Sequence, residues 1–192
     1  MRLFVAVCPP VEAVDHLWAR VARLRVAAAT AAGVNVRLAD PAHLHLTVAF
    51  LGAVEAARLV EVESALGLAA ERFRDGRDAV PRLSLGGGGH FGRGRSTVLW
   101  VALRGDVEVL HTLALHVRDR LRHARLPYDD RPFRPHLTIA RPGDRVAPAD
   151  VDADVAALDT YRGPDWSATE LLLVRSHLGP RPRYDRLAVW PL

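Results

Sequence analysis

Lysine is absent from this sequence. All 26 basic residues of the 192-residue chain are arginine, set against 22 acidic residues for a formal net charge of +4. Cysteine occurs once, at Cys8, so no internal disulfide can form, which fits a reducing compartment. Long apolar runs are missing too. The opening MRLFVAVCPP holds one short run, Leu3 to Cys8, closed by Pro9-Pro10. That is too short for a secretory signal core and far too short to span a bilayer. A cytoplasmic protein without membrane contact is the expectation. No Pro- or Ser-rich linker interrupts the chain, so residues 1–192 are expected to form a single domain, monomeric in solution.

What is present is an ordinary soluble composition, 49% hydrophobic and 25% charged, enough for one core or for two small lobes sharing one. Arginine brings a planar fork that pairs with phosphate at two points. The excess of Ala, Arg, Val and Leu has the look of genome-wide codon bias, which accounts for the missing lysine without any ligand. Net charge speaks to solubility and non-specific partners only.

The hydrophobic pattern alternates between strand and helix. RLFVAV, Arg2 to Val7, reads as a buried strand, and Pro10 suits the first residue of a helix. Val14, Leu17, Trp18, Val21, Leu24 and Ala28 continue that helix at three- and four-residue steps. Asn35 to Leu38 and Leu44 to Leu51 read as strands, the second closed by Gly52, and Ala56 to Arg72 as a helix. A short strand at Arg82 to Leu85 leads into a Gly-rich loop, Gly86 to Gly94, and then a strand from Thr97 to Leu103. Asp106 is placed to cap the next helix, through Leu110, Leu113, Leu115, Val117 and Leu121. A strand at Pro135 to Arg141, a helix at Pro148 to Leu158, and closing strands at Glu170 to Leu178 and Arg183 to Val189 complete an α+β pattern.

Two stretches stand out. Residues 43–52 read HLHLTVAFLG and residues 134–141 read RPHLTIAR, sharing His-Leu-Thr, a β-branched residue and Ala. On a strand, alternate residues share a face. His45 and Thr47 therefore project together, with Leu46, Val48 and Phe50 directed into the core. His136 and Thr138 repeat the arrangement over Leu137 and Ile139. With nine His and seven Thr in 192 residues, chance yields about 0.3 His-x-Thr triplets, and two in only ~4% of such chains. A lone core histidine satisfied by its threonine would explain either copy, but not the pair.

Two imidazole–hydroxyl patches brought face to face suit acid–base chemistry. Histidine titrates near neutrality, so one copy can be protonated while the other is not. The neutral ring takes a proton from an attacking water, and the protonated ring gives one to a leaving oxygen. The hydroxyls, with nearby arginine, can hold phosphate oxygens in between, and no metal or other cofactor is required. That division of labour fits the opening of a cyclic phosphodiester.

These motifs resemble those of the 2H phosphoesterases, and the LigT-like RNA 2′,3′-cyclic phosphodiesterases in particular. The likeness covers nearly the whole chain: MRLFVAV resembles the opening strand, HLHLTVAFLG and RPFRPHLTIAR the two motifs, TVLWVAL the central strand, and RSHLGPRPRYDRLAVWPL the C-terminal hairpin. The resemblance implies a bilobal α+β fold, two pseudo-twofold-related lobes of antiparallel sheet plus helices around a central cleft. It implies His45 as proton donor, His136 as proton acceptor, and Thr47 and Thr138 as phosphate-binding. The implied substrate is RNA or an oligonucleotide with a 2′,3′-cyclic phosphate end, hydrolysed to a 2′-phosphomonoester. RNA 2′-5′ ligation through the same site, or a non-catalytic RNA- or nucleotide-binding module, are the alternatives. The sequence departs from the family at Leu38, where an aromatic often precedes the first motif, and at Val174, where Tyr is common.

Further candidates are secondary. Arg134 alternates onto the face of His136 and suits phosphate. Arg141 falls on the opposite face by strict alternation, yet sits at a strand end where pleating breaks. His43 shares the face of His45 and could suggest a metal dyad with Asp40, but metal needs a third converging ligand; a cleft-edge or surface place is the plainer reading. The Gly86–Gly94 stretch is either a mobile surface loop or a flap, with Phe91 stacking on a base and Arg93 or Arg95 on phosphate. Trp100 and Trp190 read as core residues.

Overall fold

The computed structural model describes residues 1–75, 77–179 and 183–192. In chain order the first half runs β1 (Arg2–Val7), α1 (Val11–Val21), α2 (Arg25–Ala31), β2 (Arg37–Leu38), β3 (Leu46–Ala53) and α3 (Leu59–Arg74). The second runs β4 (Arg82–Phe91), β5 (Val98–Gly105), α4 (Val107–His123), β6 (His136–Arg141), α5 (Pro148–Asp159), β7 (Trp166–Ser167), β8 (Glu170–His177) and β9 (Arg183–Pro191). Residues 180–182, between β8 and β9, lie outside the described residues.

Two antiparallel sheets result, ordered β3-β1-β8-β9 and β2-β6-β5-β4-β7, so each motif strand belongs to its own sheet. Alternation explains why these strands stack. In β1, Leu3, Val5 and Val7 enter the main core, while Phe4 and Ala6 face the other way onto a small second cluster with Leu172 and Val174. The helices are exchanged between the halves. The second half's α4 packs with α3 over the first sheet, touching β3, whereas α5 and α1 cover the second sheet at β4, with α2 packed against α5.

The motif strands are also sewn to each other's lobes. Arg37 and Leu38, upstream of the first motif, pair with Arg141 and Ala140 at the end of the second. Ala39 N–H continues this by donating to the Ile139 carbonyl at 2.7 Å. Reciprocally, Asp129 N–H, upstream of the second motif, donates to the Phe50 carbonyl at 2.8 Å. Each motif thus enters its strand after touching the far end of the other.

Several expected elements are altered, each for a local reason. The first helix is two: it breaks at Leu24, and α2 restarts with the Arg25 and Val26 N–H groups donating to the buried Asp154 carboxylate at 2.6 and 3.0 Å. A carboxylate from α5, distant in sequence, supplies that cap. Pro10 stands just outside α1, its carbonyl accepting from Ala13 and Val14. Asp106 precedes α4 as expected, but its carboxylate accepts from Arg82 N–H at 2.8 Å rather than from the helix. The Asn35–Leu38 strand shrinks to two residues because the Asn35 carbonyl accepts from Arg145 instead.

The Gly-rich stretch is largely strand, neither loop nor flap. β4 runs through it to Phe91, with an irregularity between Leu85 and Gly88 where Gly87 takes φ +92°. The other glycines permit close approach. A Cβ on Gly88 would sit 2.7 Å from Leu158 of α5, and one on Gly89 would lie 2.1 Å from the Trp100 ring. Neither Trp100 nor Trp190 is fully buried; Trp190 packs against Gly67 of α3, and Trp100 faces the site described next.

Candidate active site

Both motif strands carry the same fault. Ala6 pairs with Thr47 and Val5 with Ala49, leaving Val48 as an extra residue. Trp100 pairs with Thr138 and Leu99 with Ala140, leaving Ile139 extra in the same way. A bulge of this kind inverts the alternation that follows it. Phe50 therefore turns out of the main core, where simple alternation had placed it, and onto the face of His45 and Thr47. Arg141 turns onto the face of His136 and Thr138 by the same step, against strict alternation.

The two faces meet in one cleft of about 1190 Å³. His45, Thr47, His136 and Thr138 all line it, as do Arg134, Arg141 and Phe91. His45 lies just ahead of β3 and His136 opens β6. Each ring is held identically. His45 Nδ1 donates to the His43 carbonyl at 2.7 Å, and His136 Nδ1 donates to the Arg134 carbonyl at 2.6 Å. A carbonyl only accepts, so the Nδ1 proton is fixed and Nε2 is left as the exchanging nitrogen.

Their surroundings differ. His45 stacks on Phe4 at 4.7 Å and meets the edge of Tyr184 at 5.5 Å. His136 meets Phe91 edge-on at 4.9 Å, with Trp100 beyond at 6.0 Å. Burial pushes both imidazoles below the ordinary histidine range, partly offset by the Nδ1 hydrogen bonds. The charges of His43 and His136 push His45 down further, and that of Arg141 does the same to His136.

His43 also lines the cleft. Its Nδ1 lies 3.1 Å from the Asp40 carboxylate, and its ring meets Tyr184 at 5.3 Å. Asp40 in turn accepts from Ala42 N–H at 3.0 Å. Among the described residues no group of three His, Cys, Asp or Glu is placed to hold a metal ion. Arg93 and Arg95 do not accompany Phe91: Arg93 starts a 3-10 turn, and Arg95 pairs with Asp144 at 3.3 Å, both outside the cleft wall.

Tyr184 and Phe4 pack on His45 but lie outside both motifs. The alternation of β1 and β9 was their only signal, and it does not say which face meets the other lobe.

A sequence profile of the 2′-5′ RNA ligase superfamily matches residues 13–180. The chain belongs to that superfamily. The sequence resemblance to the 2H phosphoesterases is thereby confirmed, fold included. An RNA 2′,3′-cyclic phosphodiesterase of Escherichia coli is 35% identical over 78% of this chain and 76% of its own length. One from Geobacillus stearothermophilus is 30% identical over 77% of this chain. This chain spans 45% of that relative's length. The structure of E. coli LigT complexed with 3′-AMP superposes with a TM-score of 0.70 at 29% identity, over the whole of this chain and 97% of that one.

Proposed function

We propose that residues 1–192 form a single catalytic unit, an RNA 2′,3′-cyclic phosphodiesterase working by two-histidine acid–base catalysis. The observation that carries this is the matched pair of rings: two imidazoles with Nδ1 anchored and Nε2 exchanging, each beside a threonine, in one cleft. The consistent naming of relatives along most of the chain supports the same reading. Thr47 and Thr138 hold the non-bridging oxygens, with Arg134 and Arg141 supplying positive charge.

A water enters opposite the 3′ oxygen. His136 Nε2 takes its proton as the new P–O bond forms, the P–O3′ bond breaks, and His45 Nε2 gives its proton to O3′. The product carries a 3′ hydroxyl and a 2′-phosphate, and solvent exchange resets the two rings. Arg141 beside His136 favours its neutral, accepting form, while the equivalent place near His45 holds the uncharged Phe50. Burial and the charges of His43 and His136 favour the neutral form of His45 as well, so the donor role proposed for it rests on the family resemblance and on the approach of an anionic phosphate, which raises its proton affinity.

RNA bearing the cyclic phosphate is the partner in this reading, met in the cytoplasm by a monomer. No helix among the described residues is long and apolar enough to cross a membrane. The superfamily's own description favours one second reading: a 5′ hydroxyl of RNA replacing water to give a 2′-5′ linkage. Incubating cyclic-phosphate RNA with and without a 5′-hydroxyl partner strand separates them. A 2′-phosphate product in both cases supports hydrolysis, and a longer strand in the second supports ligation. Tight binding with no product at all would leave only a binding module.

A further inference from the structure

The cleft is larger than one nucleotide needs and is lopsided in charge. Six arginines line it, Arg2, Arg37, Arg118, Arg131, Arg134 and Arg141, against two carboxylates. Both carboxylates are engaged: Asp40 with His43 and Asp129 with Arg131. Among the described residues, no ion pair joins Arg2 or Arg118 to a carboxylate.

These two arginines are nevertheless held in place. Arg118 projects from α4 and donates through Nη2 to the Arg131 carbonyl at 2.7 Å, while its Nε is buried with no hydrogen-bond partner. Arg2 lies over the Phe50 ring at 4.7 Å, and the Phe50 carbonyl is tied to Asp129 N–H. Arg2, Phe50, the 129–131 segment and Arg118 thus form one continuous wall at the β3 end of the cleft. Arg118 makes no direct ion pair, and the Asp129 carboxylate that its charge acts on is already held by Arg131, so the fork of Arg118 keeps donor capacity for an anion's oxygen.

We infer that Arg2 and Arg118 form a second anion subsite, which takes the phosphate on the 5′ side of the ribose that bears the cyclic phosphate. The inference rests on the hydrolase reading above, because that reading sets the direction. In-line attack from the His136 side puts the departing O3′, and so the ribose, on the His45 side. The upstream chain then leaves along β3, past Phe50 and towards Arg2 and Arg118. The subsite makes a 5′-extended RNA end a better substrate than a bare cyclic nucleoside phosphate.

The test compares kcat/KM for three substrates: a nucleoside 2′,3′-cyclic phosphate, its 5′-phosphorylated form, and a dinucleotide ending in the cyclic phosphate. In the wild type the second and third should exceed the first, by a margin that shrinks with added salt. Arg118→Gln and Arg2→Gln should each reduce that margin about tenfold, the scale of a lost hydrogen bond to a charged group. Arg118→Lys, which keeps charge but not the fork, should reduce it less. If only the 5′-phosphorylated nucleoside gains, the subsite takes a terminal phosphate; if only the dinucleotide gains, it takes a diester. No margin in the wild type, or one untouched by both Gln variants, overturns the subsite. Should Arg118→Gln fail to fold, Arg2→Gln alone decides, since Arg2 is exposed. Absence of turnover on every substrate would sink the hydrolase reading instead. Affinity for the 5′-phosphorylated nucleoside 2′,3′-cyclic phosphate would then judge the subsite, and equal values in wild type and Arg2→Gln overturn it.

Discussion

His45 and His136 occupy the same point of the same local structure, yet they are not the same residue chemically. Each has its Nδ1 on the carbonyl two residues back, a threonine two residues on, and a bulge at the next position. What differs is the shell. His45 lies deep, stacked on Phe4 and edged by Tyr184, and the position five residues on is Phe50. His136 is more open, edged by Phe91, and the position five residues on is Arg141. Duplicated backbone geometry delivers two equally held imidazoles to one cleft. In the proposed mechanism the two rings take opposite proton roles.

The strongest way to break the comparison is to remove a ring. His45→Ala and His136→Ala should each cost about 10²–10⁴-fold in kcat on a cyclic phosphate, the usual worth of one acid–base group. Near-normal turnover in both variants would end the two-histidine account. Next come the hydroxyls. Thr47→Ala and Thr138→Ala should each cost roughly tenfold to a hundredfold, the range for one hydrogen bond to a charged phosphate oxygen, read from kcat/KM.

Smaller changes sharpen the contrast through pH. Burial lowers both imidazoles, so the bell-shaped kcat/KM profile should lie to the acid side of the ordinary histidine range, with apparent values belonging to the coupled pair. Restoring water to a ring raises its affinity for protons. Tyr184→Ala, beside the donor, should therefore move the alkaline limb to higher pH. Phe91→Ala, beside the acceptor, should move the acid limb to higher pH, and Arg141→Gln should do so as well by removing a nearby cation. Limbs that move together, or the wrong limb moving, would dissolve the distinction between the rings. The smallest expected effect is none: the proposed mechanism runs both proton transfers through imidazole, so excess chelator should leave kcat unchanged.

The site was legible because its polar residues obey a local rule. His-x-Thr on an extended segment puts both side chains on one face whatever surrounds it, and repetition made accident an inadequate explanation. What failed to show depends on partners far along the chain. The bulges at Val48 and Ile139 arise from the registers with β1 and β5, so the strand's own letters mispredict the face of Phe50 and leave that of Arg141 to a broken pleat. The restart of α2 depends on Asp154 of α5, and no residue near Leu24 announces it. The glycines of β4 look like a loop locally but serve the close approach of α5 and Trp100. Tyr184 enters from the C-terminal hairpin, where nothing in RYDRL marks it as a neighbour of His45.

The claim that the halves are alike in geometry and opposite in role is tested most directly by a change of leaving group. An aryl phosphodiester such as a p-nitrophenyl ester departs without needing a proton, whereas the ribose 3′ oxygen needs one. His45→Ala should recover most of its lost rate on the aryl ester relative to the cyclic phosphate, while His136→Ala should remain impaired on both. Equal recovery in the two variants, or recovery only in His136→Ala, would contradict the assignment.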